Sequence, residues 1–122
     1  MKVLLINGSP HVDGVIALAL KELSDTLNRC DIETEIIHVG NKNIRGCIAC
    51  RLCKKTGKCV FDDCVNEIAF KLKDADGLVV GAPVYYGSAN STVVSLLTRL
   101  FYSINYDLSM KVGASVVSAR RS

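Results

Sequence analysis

Apolar residues recur along this chain in two rhythms. Short unbroken runs read as buried strands, and stretches with a three-to-four-residue period read as amphipathic helices. Residues 3–6 form the first run and end at Asn7-Gly8-Ser9-Pro10, a turn sequence. A helix is expected over residues 15–29, where Ile16, Leu20, Leu23 and Leu27 share a face and Asp13 supplies the cap. Residues 32–39 alternate and then run apolar, as a second strand does. After a cysteine-rich loop over residues 40–61, a helix from Asp62 or Asp63 to Lys73 turns Val65, Ile68, Ala69 and Leu72 inward. Leu78-Val79-Val80-Gly81 is a third strand and residues 83–89 a loop. Residues 91–102 follow as a helix with Val93, Leu96, Leu97 and Leu100 inward, and residues 112–117 as a fourth strand. This alternation predicts an α/β chain: a three-layer, doubly wound parallel sheet with right-handed crossovers, one domain over residues 1–122. The first and third strands should be neighbours at the switch point, where open sheets of this class bind ligands.

Composition narrows the picture only slightly. A chain of 122 residues that is 49% hydrophobic sustains one core. The net charge of +3 is mild, and outside the cysteine loop the charges are interspersed, so no nucleic-acid surface is expected. No apolar stretch approaches the ~20 residues of a membrane span, and the first apolar run is too short for a signal sequence. The expectation is a cytoplasmic protein without a membrane partner, whose six cysteines serve metal or redox chemistry rather than disulfides.

The cysteines carry the sharpest chemistry. Cys47, Cys50, Cys53 and Cys59 follow a C-x2-C-x2-C-x5-C spacing, and three thiolates at that interval can converge on one face of an iron-sulfur cluster while the fourth closes it. A zinc site also takes four thiolates but normally pairs two separated C-x2-C knuckles. A metal-free loop of reduced thiols is the third reading. Lys42, Arg45, Arg51, Lys54, Lys55 and Lys58 surround the cysteines with no acid among them. Such a collar suits an anionic cluster, a nicotinamide phosphate or an acidic electron carrier. Cys64 and Cys30 read as small core residues outside the ligand set.

Two further loops belong together. Gly8 to Gly14 joins a strand to a helix N-terminus, where free N–H groups and the helix dipole attract phosphate. His11 lies beside this turn, as a donor to it or as a solvated loop histidine, and His38 reads as isolated. Pro83-Val84-Tyr85-Tyr86-Gly87-Ser88 follows the third strand. Two loops at the carboxyl ends of adjacent strands can sandwich a ligand, with phosphate in the first and a flat ring against the second. No hydrolytic triad or carboxylate pair is evident.

In order along the chain, Asn7-Gly8-Ser9-Pro10, Gly46-Cys47-Ile48-Ala49-Cys50 with Thr56-Gly57-Lys58-Cys59, Ala82-Pro83-Val84-Tyr85-Tyr86-Gly87-Ser88 and Ser118-Ala119-Arg120-Arg121 resemble the flavodoxin-like NAD(P)H-dependent FMN reductase family, and the cysteine spacing its iron-sulfur flavoprotein branch. The resemblance implies a flavodoxin-like sheet that binds FMN. It implies electrons moving between a nicotinamide co-substrate, the flavin and, in that branch, a 4Fe-4S cluster on Cys47, Cys50, Cys53 and Cys59. It places the phosphate on Ser9, His11, Gly14, Val15 and Ile16. The flavin ring and ribityl chain fall to Pro83, Val84, Tyr85, Tyr86, Gly87 and Ser88, and the pyrimidine edge to Ser118, Ala119 and Arg120. No side chain takes a catalytic role, because the flavin carries the hydride.

Two departures stand out. Family members place small polar residues where this chain has Val15 and Ile16, so Ile16→Thr is expected to tighten FMN binding. The family also continues past the arginine pair, whereas this sequence stops at Ser122, so the fifth strand is expected to be missing, and an open edge predicts a homo-oligomer. The competing readings are a non-enzymatic electron-transfer module and a fragment that no longer holds FMN.

Overall fold

The computed structural model describes residues 1–121. Ser122, on which the expected early stop turns, lies outside the described residues.

The first apolar run becomes β1 (Lys2–Asn7), the centre of a parallel sheet. It pairs with β2 (Glu33–His38) on one side and β3 (Gly77–Tyr85) on the other, and β3 pairs in parallel with β5 (Val112–Ser118). A two-residue β4 (Ser88–Ala89) folds back antiparallel on the end of β3. The parallel order is therefore β2-β1-β3-β5, with the first and third strands adjacent as expected. Beyond β5 no further strand pairs with the sheet among the described residues.

Side chains alternate across a strand, so neighbours in β1 enter different cores. Leu4 and Ile6 join Val65, Ile68 and Leu72 of α3 (Cys64–Lys73) and Leu96 and Leu100 of α4 (Ser91–Ser103). Leu5 faces the other layer with Val79 of β3 and Ile16 and Leu20 of α1 (Val15–Arg29). This is the three-layer flavodoxin-like arrangement. Among the described residues no helix is long and apolar enough to cross a membrane.

Several expectations are corrected. Asp13 does not cap α1: the N-cap is Gly14, and no side chain caps that end. Cys30 is exposed beyond the helix rather than in the core. Cys64 is half-buried against the α3/α4 core, close to the expected role. Leu97 is only half-buried, and the fully buried place one turn from Leu96 belongs to Arg99. Residues 53–56 of the expected loop wind into a single helical turn, α2 (Cys53–Thr56). Pro83, Val84 and Tyr85 continue β3, and only Tyr86 and Gly87 make the turn.

Ile16 bears directly on function. It is 2% exposed and packed against Leu5, Leu20 and Val79, so its side chain belongs to the core and only its backbone is left for a phosphate. Ile16→Thr is therefore expected to cost about 1–2 kcal/mol of stability, since it trades buried methyl groups for a hydroxyl. A side chain at this position packs into the core, so no tighter FMN binding is expected from the hydroxyl. Thermal unfolding checks this: an unchanged midpoint would contradict it.

Candidate functional site

The carboxyl ends of β1, β3 and β5 carry the expected flavin loops on one edge of the sheet. Asn7 stands opposite Gly81, and Pro83 opposite Ser118. The β1 end is locked in place. Gly8 N donates to Gly81 O at 2.8 Å, and Ser9 N donates to Asn7 Oδ1 at 3.0 Å. His38 is not isolated, because its Nε2 donates to Ser9 O at 2.7 Å. Ser9 itself is buried, and its hydroxyl accepts from His11 N at 3.2 Å.

Past this turn α1 begins without a side-chain cap and without an acid in its first turn. Its first N–H groups have no intrahelical acceptor, and the helix dipole makes that end electropositive. His11 and Val15 are exposed beside it, with Gly14 half-buried.

The second loop is a tight hairpin. Tyr85 pairs with Ser88, and Gly87 takes a φ of 74°, the left-handed conformation glycine adopts without strain. Tyr86 is fully exposed and Tyr85 half-exposed. Asn90 ties this hairpin to the first turn: its backbone N donates to Pro83 O at 3.2 Å and its Nδ2 to Gly8 O at 2.7 Å. It is 6% exposed, and its Oδ1 has no partner. Ser118 is half-buried at the end of β5, and Ala119 and Arg120 continue from it, exposed.

The cysteines gather elsewhere, against the C-terminal half of α4. Cys47, Cys50, Cys53 and Cys59 line one cavity of about 20 Å³ whose walls include Phe61, Arg99 and Tyr102. Ala49 and Arg51, on either side of Cys50, both adopt left-handed backbone, with φ of 57° and 64°. Non-glycine residues pay roughly 1–2 kcal/mol each for that conformation. Two of the four such residues among the described positions, the others being Asp31 and Met110, lie where the chain wraps its thiols around a shared space. Ala49 N donates to Cys47 Sγ at 3.3 Å. Asn66 brackets Cys59, accepting from its N at 2.8 Å and donating to its O at 2.9 Å. Among the described residues no three metal-ligating side chains stand at coordination spacing, so the thiols face a common cavity without closing on a point. Cys64 stays apart, and burial, reinforced by Asp63, pushes its thiol pKa up.

Arg99 is the site residue that the sequence pattern conceals. Only 1% exposed, it forms a bidentate pair with Asp63, both bonds 2.8 Å. Its Nε donates to Cys59 Sγ at 3.4 Å, and its remaining N–H groups reach Arg45 O and Phe61 O. Burial works against the charge most strongly, yet Asp63 and Cys59 together outweigh it and hold the guanidinium above its ordinary value. The available signal was a lone cation within the apolar stripe of α4.

The family profile described as NADPH-dependent FMN reductase matches residues 1–122, the whole chain. The chain belongs to the NADPH-dependent FMN reductase family. Among curated relatives of this chain, an iron-sulfur flavoprotein of Methanocaldococcus jannaschii is 40% identical over 95% of this chain and 61% of its own length. One from Methanosarcina thermophila is 34% identical over 95% of this chain and 62% of its own. The chain thus spans about three fifths of the length of these relatives. Of solved structures, an NAD(P)H:quinone oxidoreductase from Methanothermobacter marburgensis superposes with a TM-score of 0.78 at 15% identity. That likeness covers 100% of this chain and 68% of the other, and it shows the flavodoxin-like fold.

Proposed function

We propose that this chain forms the flavin-binding part of an NAD(P)H-linked oxidoreductase that passes electrons between a nicotinamide, FMN and a 4Fe-4S cluster. The observation that carries the reading is the uncapped, acid-free start of α1 beside the tyrosine hairpin, two loops joined through Asn90. Phosphate chemistry fits the unpaired N–H groups, and a flat ring fits the exposed tyrosines. The partnerless Asn90 Oδ1 adds an acceptor in the residue that joins the two loops.

When bound, FMN supplies the hydride and single-electron chemistry. The chain's own part is to hold and orient it. Backbone N–H groups of Gly14, Val15 and Ile16 and the Ser9 hydroxyl would take the phosphate, with His11 at the rim. Pro83, Val84, Tyr85, Tyr86, Gly87 and Ser88 would wall the ring, and Ser118, Ala119 and Arg120 would meet its pyrimidine edge. Four thiols in one C-x2-C-x2-C-x5-C run around one cavity, with a buried cation behind Cys59, fit an iron-sulfur cluster better than zinc, which normally takes two separated knuckles. Such a cluster would supply one-electron transfer. The six thiols are all free, which suits a reducing, cytoplasmic setting.

NADPH oxidation by FMN-loaded protein with an artificial acceptor tests the enzymatic reading. Flavin-loaded protein inert to both nicotinamides would support the electron-carrier reading instead. The exposed Arg45, Arg51, Lys54, Lys55 and Lys58 suit an acidic carrier as they suit a nicotinamide phosphate.

The ligand assignment predicts a contrast between two thiols. Cys53→Ala should lose most of the iron taken up on anaerobic reconstitution, while Cys64→Ala should retain it. Equal retention by both variants would refute the assignment.

For this stretch of chain taken by itself, the open side of β5 supports self-association. Val112 and Val117 are 66% and 64% exposed on a strand paired only to β3 among the described residues. Uncovered edges of this kind readily associate. Light scattering at micromolar concentration in reducing buffer is expected to show a dimer or larger, and a monomer would contradict it.

A further inference from the structure

Arg99 is the only fully charged side chain buried among the described residues, and every one of its five N–H donors is occupied. Its partners lie at both ends of the cysteine loop: Arg45 O just before Cys47, then Cys59 Sγ, Phe61 O and the carboxylate of Asp63. Asp63 is also the N-cap of α3, with Oδ1 accepting from Val65 N at 3.1 Å. A buried ion pair is a poor way to gain stability, since well-packed apolar residues often do as well. Anchoring the loop also does not require a bond to sulfur. The Nε–H to Cys59 Sγ contact is the part that a clamp alone leaves unexplained.

We propose that Arg99 is a positioning residue that sets both the place of Cys59 and the reduction potential of a cluster held by Cys47, Cys50, Cys53 and Cys59. The proposal rests on the cluster reading above. Reduction adds negative charge to a cluster. Hydrogen bonds to its sulfurs and nearby cations stabilise that reduced form, all the more where burial keeps the local dielectric low. Arg99 supplies both through one contact, which raises the potential and makes the cluster a readier electron acceptor. Asp63 opposes it, placing a carboxylate against the same guanidinium.

This opposition gives a test by sign. Parent, Arg99→Gln, Arg99→Lys and Asp63→Asn proteins would be reconstituted anaerobically, and iron per chain and the midpoint potential measured by spectroelectrochemical titration. The expected order, from most negative upward, is Arg99→Gln, Arg99→Lys, parent, Asp63→Asn. A purely structural role would lower iron content in the variants while leaving the potential of the remaining clusters unchanged, and that result would overturn the proposal. If circular dichroism shows that Arg99→Gln does not fold, the opposite displacements of Arg99→Lys and Asp63→Asn decide the matter. A folded parent that takes up no iron would overturn the cluster reading, and the proposal with it. A parent that loads iron while all the variants match its potential would overturn the Arg99 role alone.

Discussion

Replacing Asp63 with alanine is expected to cost about 3 kcal/mol of folding stability. The substitution leaves the Arg99 guanidinium, 1% exposed, without its counter-charge and with two N–H donors unpaired. Breaking a buried pair by removing one partner costs about 3–5 kcal/mol. The Asp63 side chain is 30% exposed, so water recovers part of that loss and the low end applies. The same change removes the cap on α3, about 1 kcal/mol by itself and included in the figure because the two losses share one carboxylate. Urea unfolding of the metal-free protein gives the number. A loss below about 1 kcal/mol would mean that the guanidinium finds water or another acceptor when Asp63 is gone.

The second large effect is expected at Gly40. A Cβ there would sit 1.9 Å from Ser9 O, 2.2 Å from Ser9 C and 2.7 Å from Gly8 O, all backbone atoms of the turn after β1 proposed to hold the phosphate. That backbone cannot yield locally. Gly8 N is bonded to Gly81, Ser9 O to His38, and Val39 and Gly40 N–H groups both reach Asn7 O. Gly40→Ala should therefore destabilise the fold by roughly 1–3 kcal/mol, the usual range for overpacking. It should also weaken FMN binding about tenfold or more, equivalent to about 1.4 kcal/mol. Gly113→Ala serves as the control, since its added methyl group meets nothing within 4 Å. Fluorescence titration with FMN separates the two effects. Unchanged affinity in a destabilised Gly40→Ala protein would detach the turn from flavin binding.

Much of the fold was legible because apolar period alone distinguishes a buried strand from an amphipathic helix. The runs at Leu4-Leu5-Ile6 and Leu78-Val79-Val80 and the stripe Val65, Ile68, Ala69, Leu72 all fell into the expected elements. The glycine turn and tyrosine loop reached one sheet edge because parallel strands place successive βα connections there. Contacts between residues far apart in sequence could not be read in this way. Arg99 pairs with Asp63 across 36 positions, and Asn90 reaches Gly8 across 82. A helical period cannot show that a cation inside an apolar stripe has a carboxylate waiting opposite it. Asp13 failed as a cap for a local reason: the chain enters α1 through Gly14 in extended backbone, leaving the helix end open. Pro83 was expected to open a loop, yet it continues β3. It sits beyond the last β1 to β3 pair, where the missing N–H costs that ladder nothing and the strand runs on beside β5.

We propose that the chain holds FMN through the β1 and β3 loops and a cluster through its four clustered thiols. One ultraviolet-visible spectrum of protein purified anaerobically and reconstituted with FMN, iron and sulfide, read with iron and flavin content per chain, tests it most directly. Resolved flavin bands are expected over a broad absorption that bleaches with dithionite, with about one FMN and four irons per chain. Folded protein that stays colourless after reconstitution, retaining neither flavin nor iron on desalting, would contradict it.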